Sequence, residues 1–166
     1  MTQPIQSHHI PRTIETLVKQ AKVGILTTCS MDALPHPAII FYCYYPIEDT
    51  LYFFTSRTTR TFRYLCQNPN VSVCIDQRDL RNPMRNFGVM LRGLAKHIKN
   101  EEEINRVLKD LLNKKYRSLP KDSQKLKKNY WWLVPPDRRC FRLEITTMVW
   151  WRGPYFRKIR IRPQKI

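Results

Sequence analysis

Six runs of aromatic and β-branched residues, none longer than a dozen, limit what this chain can fold into: VGILTTCS, HPAIIFYCYY, LYFFT, VSVCID, FGVMLRGLAKHI and CFRLEITTMVWW. Such residues suit a pleated, packed surface. The breaks MDALP and PIEDT are of hairpin length, so the runs predict an antiparallel meander. Gly93, inside the fifth run, predicts a bulge or a close backbone approach.

Three segments change period. In IPRTIETLVKQAKVG, residues Ile14, Leu17, Val18 and Ala21 share one helical face, with Pro11 near the start and Gly24 where a C-cap would fall. Phe62, Leu65 and Cys66 give a helical turn or two that Asn68-Pro69 ends. NEEEINRVLKDLLNKKY carries an N-cap at Asn100, Glu103 in the capping-box position, acids first and lysines last, and an apolar face from Ile104 to Leu112. RSLPKDSQKLKKNYWWLVPPDRR reads as a loop or short helix docked through Tyr130, Trp131 and Trp132. RGPYFRKIRIRPQKI reads as an exposed edge or C-terminal arm. The order of elements points to a small closed antiparallel barrel with helices outside, in a single domain: barrel core over 12–100, helix and basic loop over 101–129, closing strand and arm over 130–166.

With 166 residues, 42% of them hydrophobic, the chain can bury one core. Its net charge of +17, most of it carried after residue 100, attracts anions: phosphate cofactors, nucleic acid or an acidic membrane face. Five cysteines without C-x-x-C spacing fit buried free thiols in a reducing compartment. His8, His9 and His97 show no ligand-like spacing, so no metal site is expected. No apolar run approaches membrane-spanning length, and a soluble cytoplasmic protein is the expectation.

TSRTTRTFRYL, directly after LYFF, concentrates Arg57, Arg60 and Arg63 among hydroxyls at a strand end and a helix start. Hydroxyls, unpaired backbone N–H groups and guanidiniums together bind phosphate. A solvated basic loop with capping hydroxyls has the same composition. His36 reads as a turn histidine. Neighbours on a strand face opposite ways, so of Trp150 and Trp151 one ring joins the core and the other faces solvent, a ligand or a partner chain. The basic, aromatic C-terminal arm is either a nucleic-acid element or a solvated edge strand.

The succession GILTT, PHPAII, LYFFTSRTTRTFRYLCQNPNVSV and GVMLRGLAKHI resembles the pyridoxamine 5′-phosphate oxidase-like FMN-binding split barrels over roughly residues 12 to 100, and MVWWRG is similar to that family's closing segment. The resemblance implies a mainly β fold with flanking helices, a six-stranded antiparallel Greek-key split barrel. It implies a homodimer that binds FMN between two barrels and acts as a flavin-dependent oxidoreductase on a small, anionic substrate. It places Ala38, Ile39 and Ile40 along the isoalloxazine ring and Phe54 and Thr55 at the phosphate end. Thr59 and Arg60 would hold the phosphate, and Trp151 would come from the partner subunit. No catalytic residue is implied, since the cofactor carries the hydride chemistry. Three positions depart from the family: Thr61 stands where a Lys follows the phosphate-binding Arg, a neutral residue near Ala38 replaces an early strand Arg, and Gly88 replaces a Gln. Deazaflavin F420 and haem are alternative cofactors within the superfamily. A nucleic-acid-binding barrel without catalysis, or a member that binds no cofactor, are the other readings.

Overall fold

The computed structural model describes residues 10–115 and 137–160. Seven strands, β1 (Val23–Cys29), β2 (Pro35–Tyr45), β3 (Thr50–Ser56), β4 (Asn70–Gln77), β5 (Phe87–Ile98), β6 (Arg138–Arg152) and β7 (Tyr155–Arg160), form one antiparallel sheet in the order β3-β2-β1-β4-β5-β6-β7. A further pairing of β3 with β6 closes the first six into a barrel. Helices α1 (Arg12–Gln20), α2 (Arg60–Gln67) and α3 (Glu101–Asp110) flank it. Tyr130, Trp131, Trp132, His8, His9 and the end of the arm lie outside the described residues.

The barrel is not a simple meander. β3 and β4 are consecutive yet unpaired; α2 bridges them, and β4 turns back to pair with β1. This is the Greek-key step.

The burial of β3 explains LYFF. All of Thr50–Thr55 is buried, because Leu51 and Phe53 face the barrel core while Tyr52 and Phe54 face a second cluster beneath α3 with Val107 and Leu111. A strand covered on both faces loses the usual alternation and reads as one apolar run. α1 closes the barrel end with Ile14, Leu17 and Val18, and Tyr42 Oη donates to Val18 O at 2.8 Å.

Asn100 caps α3 by accepting from the Glu103 N–H at 2.9 Å. The Glu103 carboxylate accepts from Tyr52 Oη at 2.8 Å, where the sequence suggests a capping box. Burial first, and this carboxylate second, push the Tyr52 phenol up to about 12. At Gly93 the register of β5 against β6 shifts, and a Cβ there would sit 1.8 Å from Glu144 O. The glycine therefore marks both the bulge and the close approach that the sequence predicts.

Two local expectations need correcting. α1 ends at Ala21, so Gly24 is no C-cap; it lies in β1, where a Cβ would press on Val73 at 3.0 Å. The thiols are free, but Cys66 is exposed on α2, with Cys43 and Cys140 buried and Cys29 and Cys74 between. An amphipathic one-sided helix of two turns cannot bury every apolar residue it carries.

Candidate functional site

The β3–α2 turn is ordered by its own hydroxyls. Thr59 is the N-cap of α2: its Oγ1 accepts from the Phe62 N–H at 3.1 Å and donates to Ser56 O at 2.8 Å. Thr55 Oγ1 lies 2.9 Å from the same oxygen. Thr59 has one proton, and Ser56 O can only accept, so Thr55 donates to Thr59. The N–H groups of Arg60 and Thr61, in the first turn, have no intrahelical partner. Arg57, Arg60 and Arg63 are exposed and form no ion pair with a described residue.

The first half of this turn already holds an anion. Ser56 Oγ donates to Asp137 Oδ2 at 2.7 Å, and this bond, with the Arg57 and Thr58 N–H groups behind it, holds the Asp137 carboxyl below its usual range. The donor set thus fits an oxyanion. In the second half only Arg60 is exposed, and this is the part where a phosphate would be held by Arg60 and the N–H groups of the first turn. Thr61 itself is buried, so it adds a backbone donor and no charge. Sequence reasoning missed Asp137, which lies 81 residues from Ser56 and carries no local motif.

Beside this turn the barrel is split. β2 pairs with β3 only through Tyr42–Tyr45, whereas residues 35–41 pair only with β1. The far edge of β2 from Pro35 to Phe41 is therefore open next to the start of α2. His36, which the sequence reads as a turn residue, lies in β2, with its ring edge-on to Tyr64 of the second turn of α2 at 5.8 Å. Ile40 points into the barrel core, Ala38 is half-buried, and Ile39 points out with 72% exposure. The three do not present one side-chain surface: the backbone edge of all three and the Ile39 side chain are what a flat ring could meet. Phe54 is buried in the cluster under α3, so only its backbone is available, next to the buried Thr55.

Ile39 begins an apolar row across the outer face. Ile25, Cys74, Met90 and Val149 lie in register with it on successive strands, and Ile25 is 50% exposed. A strand pattern alone does not say which of its two faces is covered. The row is exposed at Ile39 and Ile25 and half-buried at Cys74, Met90 and Val149, and an apolar strip of this kind suits an interaction surface.

Trp150 packs against the core and Trp151 lies on the outer face. The Trp151 indole covers Gly88, its register partner, so closely that a Cβ on Gly88 would fall 2.2 Å from its Cζ2. Gly88 and Trp151 are therefore complementary: a Gln at 88 would displace the indole. Trp151 is not near the β3–α2 turn of its own chain. Thr55 pairs with Arg139, and Trp151 lies twelve residues further along β6, a contour of roughly 40 Å.

Other titratable groups do not gather. Among the described residues no group of three His, Cys, Asp or Glu side chains is placed to hold a metal ion, and no helix is long and apolar enough to cross a membrane. His97 stacks on Phe141 at 5.2 Å; burial, then Arg139 and Lys99, lower its pKa.

A six-stranded barrel that splits beside a hydroxyl-rich helix start defines the class of split-barrel proteins. A family model described as pyridoxamine 5′-phosphate oxidase matches residues 10–149, and the chain belongs to that family. No curated protein sequence matches it. The fold is similar to the conserved hypothetical protein Rv2991 from Mycobacterium tuberculosis, with a TM-score of 0.70, 19% identity and coverage of 93% of this chain and 91% of that one. It is similar to the heme binding protein from Mycobacterium smegmatis, with a TM-score of 0.69 and 15% identity; 96% of this chain is covered but only 60% of that longer one. An F420 reductase aligns with a TM-score of 0.59 and 20% identity over 84% of this chain and 98% of its own. At these identities the likeness is one of fold.

Proposed function

We propose that the protein is an FMN-dependent oxidoreductase that works as a homodimer on a small, anionic substrate. The observation that carries this reading is the start of α2: exposed Arg60 and two free helix N–H groups, beside the open edge of β2. A phosphate monoester held there by Arg60 gains charge-assisted hydrogen bonds and the favourable end of the helix dipole. The attached ring would lie along residues 38–40, whose free backbone groups pair with its polar edge while Ile39 covers its face.

A second barrel follows from distance. Trp151 is too far along β6 to cover a ring bound at its own chain's turn, and the apolar row from Ile39 to Val149 is exposed at Ile39 and Ile25 and half-buried beyond them. A second copy laid on that face buries the row and brings the partner's Trp151 toward the ring. When bound, the flavin supplies the hydride acceptor. This chain's residues bind the phosphate, orient the ring and exclude water. Arg57 and Arg63 remain free to attract an anionic substrate, with the cytoplasm as the setting.

The test is a visible absorption spectrum before and after addition of FMN and dialysis, on the wild-type chain and on Arg60→Ala. The wild type is expected to retain the flavin bands. Loss of one charge-assisted contact, about 1.5–3 kcal/mol, raises the FMN Kd by about 10- to 150-fold in the variant. A wild type that retains no FMN bands but takes up haem or deazaflavin F420 would replace the cofactor in this reading; equal FMN affinity in both chains would remove Arg60 from the site.

A further inference from the structure

The end of the barrel away from the β3–α2 turn carries a second cationic surface that the flavin reading does not use. It is built from two segments distant in sequence. The β4–β5 loop is locked as a turn: the Asp79 carboxylate accepts from the Arg81 and Asn82 N–H groups at 2.9 and 3.1 Å, and Asn86 Oδ1 accepts from the Asp79 N–H at 2.6 Å. That loop is fixed to the β6–β7 hairpin, because Gly153, at φ +54°, donates its N–H to Asn86 O at 2.7 Å and packs on Met84. Arg81, Arg85, Arg152 and Arg157 are thereby exposed at one end, none in an ion pair with a described residue. The nearby acids are engaged: Asp76 pairs with Arg78, and Asp79 caps the turn.

Beside these arginines lies a cleft of about 580 Å³ between α1 and the ends of β4 and β5. Leu17 and Phe87 supply apolar surface, and Arg12, Thr16, Gln20 and Gln77 supply polar edges. Gln77, Phe87, Arg152 and Tyr155 are register partners on four consecutive strands, so the cleft continues into the hairpin. Tyr155 is 71% exposed.

We propose that this end of the barrel binds single-stranded nucleic acid, with phosphates on the loop and hairpin arginines and bases on Tyr155 and in the Phe87 cleft. Exposed arginines beside an exposed ring form the groove-and-platform arrangement that suits a flexible polyanion of flat bases. The cleft argues for bases over a lipid surface. Its amide and hydroxyl edges would match a base edge, whereas a membrane makes no use of a polar concavity. Tyr155 and Phe156 also point to opposite sides of the hairpin, so they cannot insert as one edge.

The experiment is fluorescence anisotropy of a labelled 12-nucleotide single strand titrated with the full chain across a salt series. At −0.7 per phosphate, four contacts give a log–log slope of about −3, an affinity loss of about 50-fold between 50 and 200 mM salt. Arg81→Glu/Arg85→Glu and Arg152→Glu/Arg157→Glu are each expected to weaken binding at least about tenfold and flatten the slope. Tyr155→Ala is expected to weaken it about fivefold or more with the slope unchanged. These positions are exposed, and thermal melting checks that each variant folds. Affinity unchanged in both double variants would overturn the proposal, as would a strand bound no better than duplex of equal charge. Binding to phosphatidylserine vesicles but not to the strand would also overturn it.

Discussion

Thr59 and Arg60 are adjacent, yet the structure gives them separable roles, and replacing each by Ala tests the separation. The Thr59 hydroxyl is fully used by the fold: it accepts from Phe62 N–H, accepts from Thr55 and donates to Ser56 O. Thr59→Ala removes the only side-chain cap of α2, which costs about 1 kcal/mol, and it leaves Thr55 without its acceptor, for a sum of about 1–2 kcal/mol. In a chain of this length that lowers Tm by about 3–6 °C. Arg60 is exposed and in no ion pair with a described residue, so its removal leaves Tm within about 1 °C, as for other surface changes. The assay is thermal denaturation followed by circular dichroism without flavin, with Thr59→Ser restoring the cap. A Thr59→Ala chain that melts with the wild type would refute the assigned proton arrangement. An Arg60→Ala chain that melts as early would show that Arg60 supports the fold.

Four further outcomes are expected. Gly93→Ala presses a methyl onto the Glu144 carbonyl at the β5–β6 bulge, where backbone cannot yield; urea denaturation should show a loss of about 3 kcal/mol, and a smaller change would mean that the bulge relaxes. Gly88→Gln should destabilise by about 1–3 kcal/mol by displacing the Trp151 indole, and adding Trp151→Ala should recover most of that; no recovery would place the strain elsewhere. His97 has a folded pKa below its unfolded value of about 6.5, so the unfolded chain binds the proton more tightly and stability falls as pH drops below about 6.5. His97→Phe should therefore lose less Tm than the wild type between pH 7 and pH 5, and equal losses would contradict the assignment. Asp137→Ala frees the Ser56, Arg57 and Thr58 donors and removes a negative charge beside the proposed phosphate site, so FMN affinity should rise by a factor of about 2 to 5 at low salt; weaker binding would show that Asp137 instead shapes the turn.

Much of the barrel is legible in the sequence because its strands are short and their punctuation is local. LYFF is legible as a strand, though only the structure shows that β3 is sandwiched between the barrel core and α3. What is not legible is the order of pairing. The break between β3 and β4 is filled by α2, and nothing in either strand says that β4 will return to β1. Register is decided by burial of whole faces, a property of the closed barrel and not of any one run.

The candidate site divides along the same line. Thr59, Arg60 and the helix start are legible because a cap, a hydroxyl cluster and a following Asn-Pro act within a few residues of each other. The contacts that set the site's charge and shape are long-range. Asp137 takes half of the donors in the β3–α2 turn, and, far from that turn along β6, the Trp151 indole fills the space beside its register partner Gly88 on the outer face. Two departures from the family pattern thus acquire physical reasons. Gly88 carries no side chain because the indole occupies its place, and Thr61 carries no charge because its position is buried, where an ammonium would pay for desolvation without a partner. With Thr61 neutral and Asp137 opposing, Arg60 is the cation best placed for a phosphate on this turn, and binding there should depend on it more steeply than in a site that shares the anion between an Arg and a Lys.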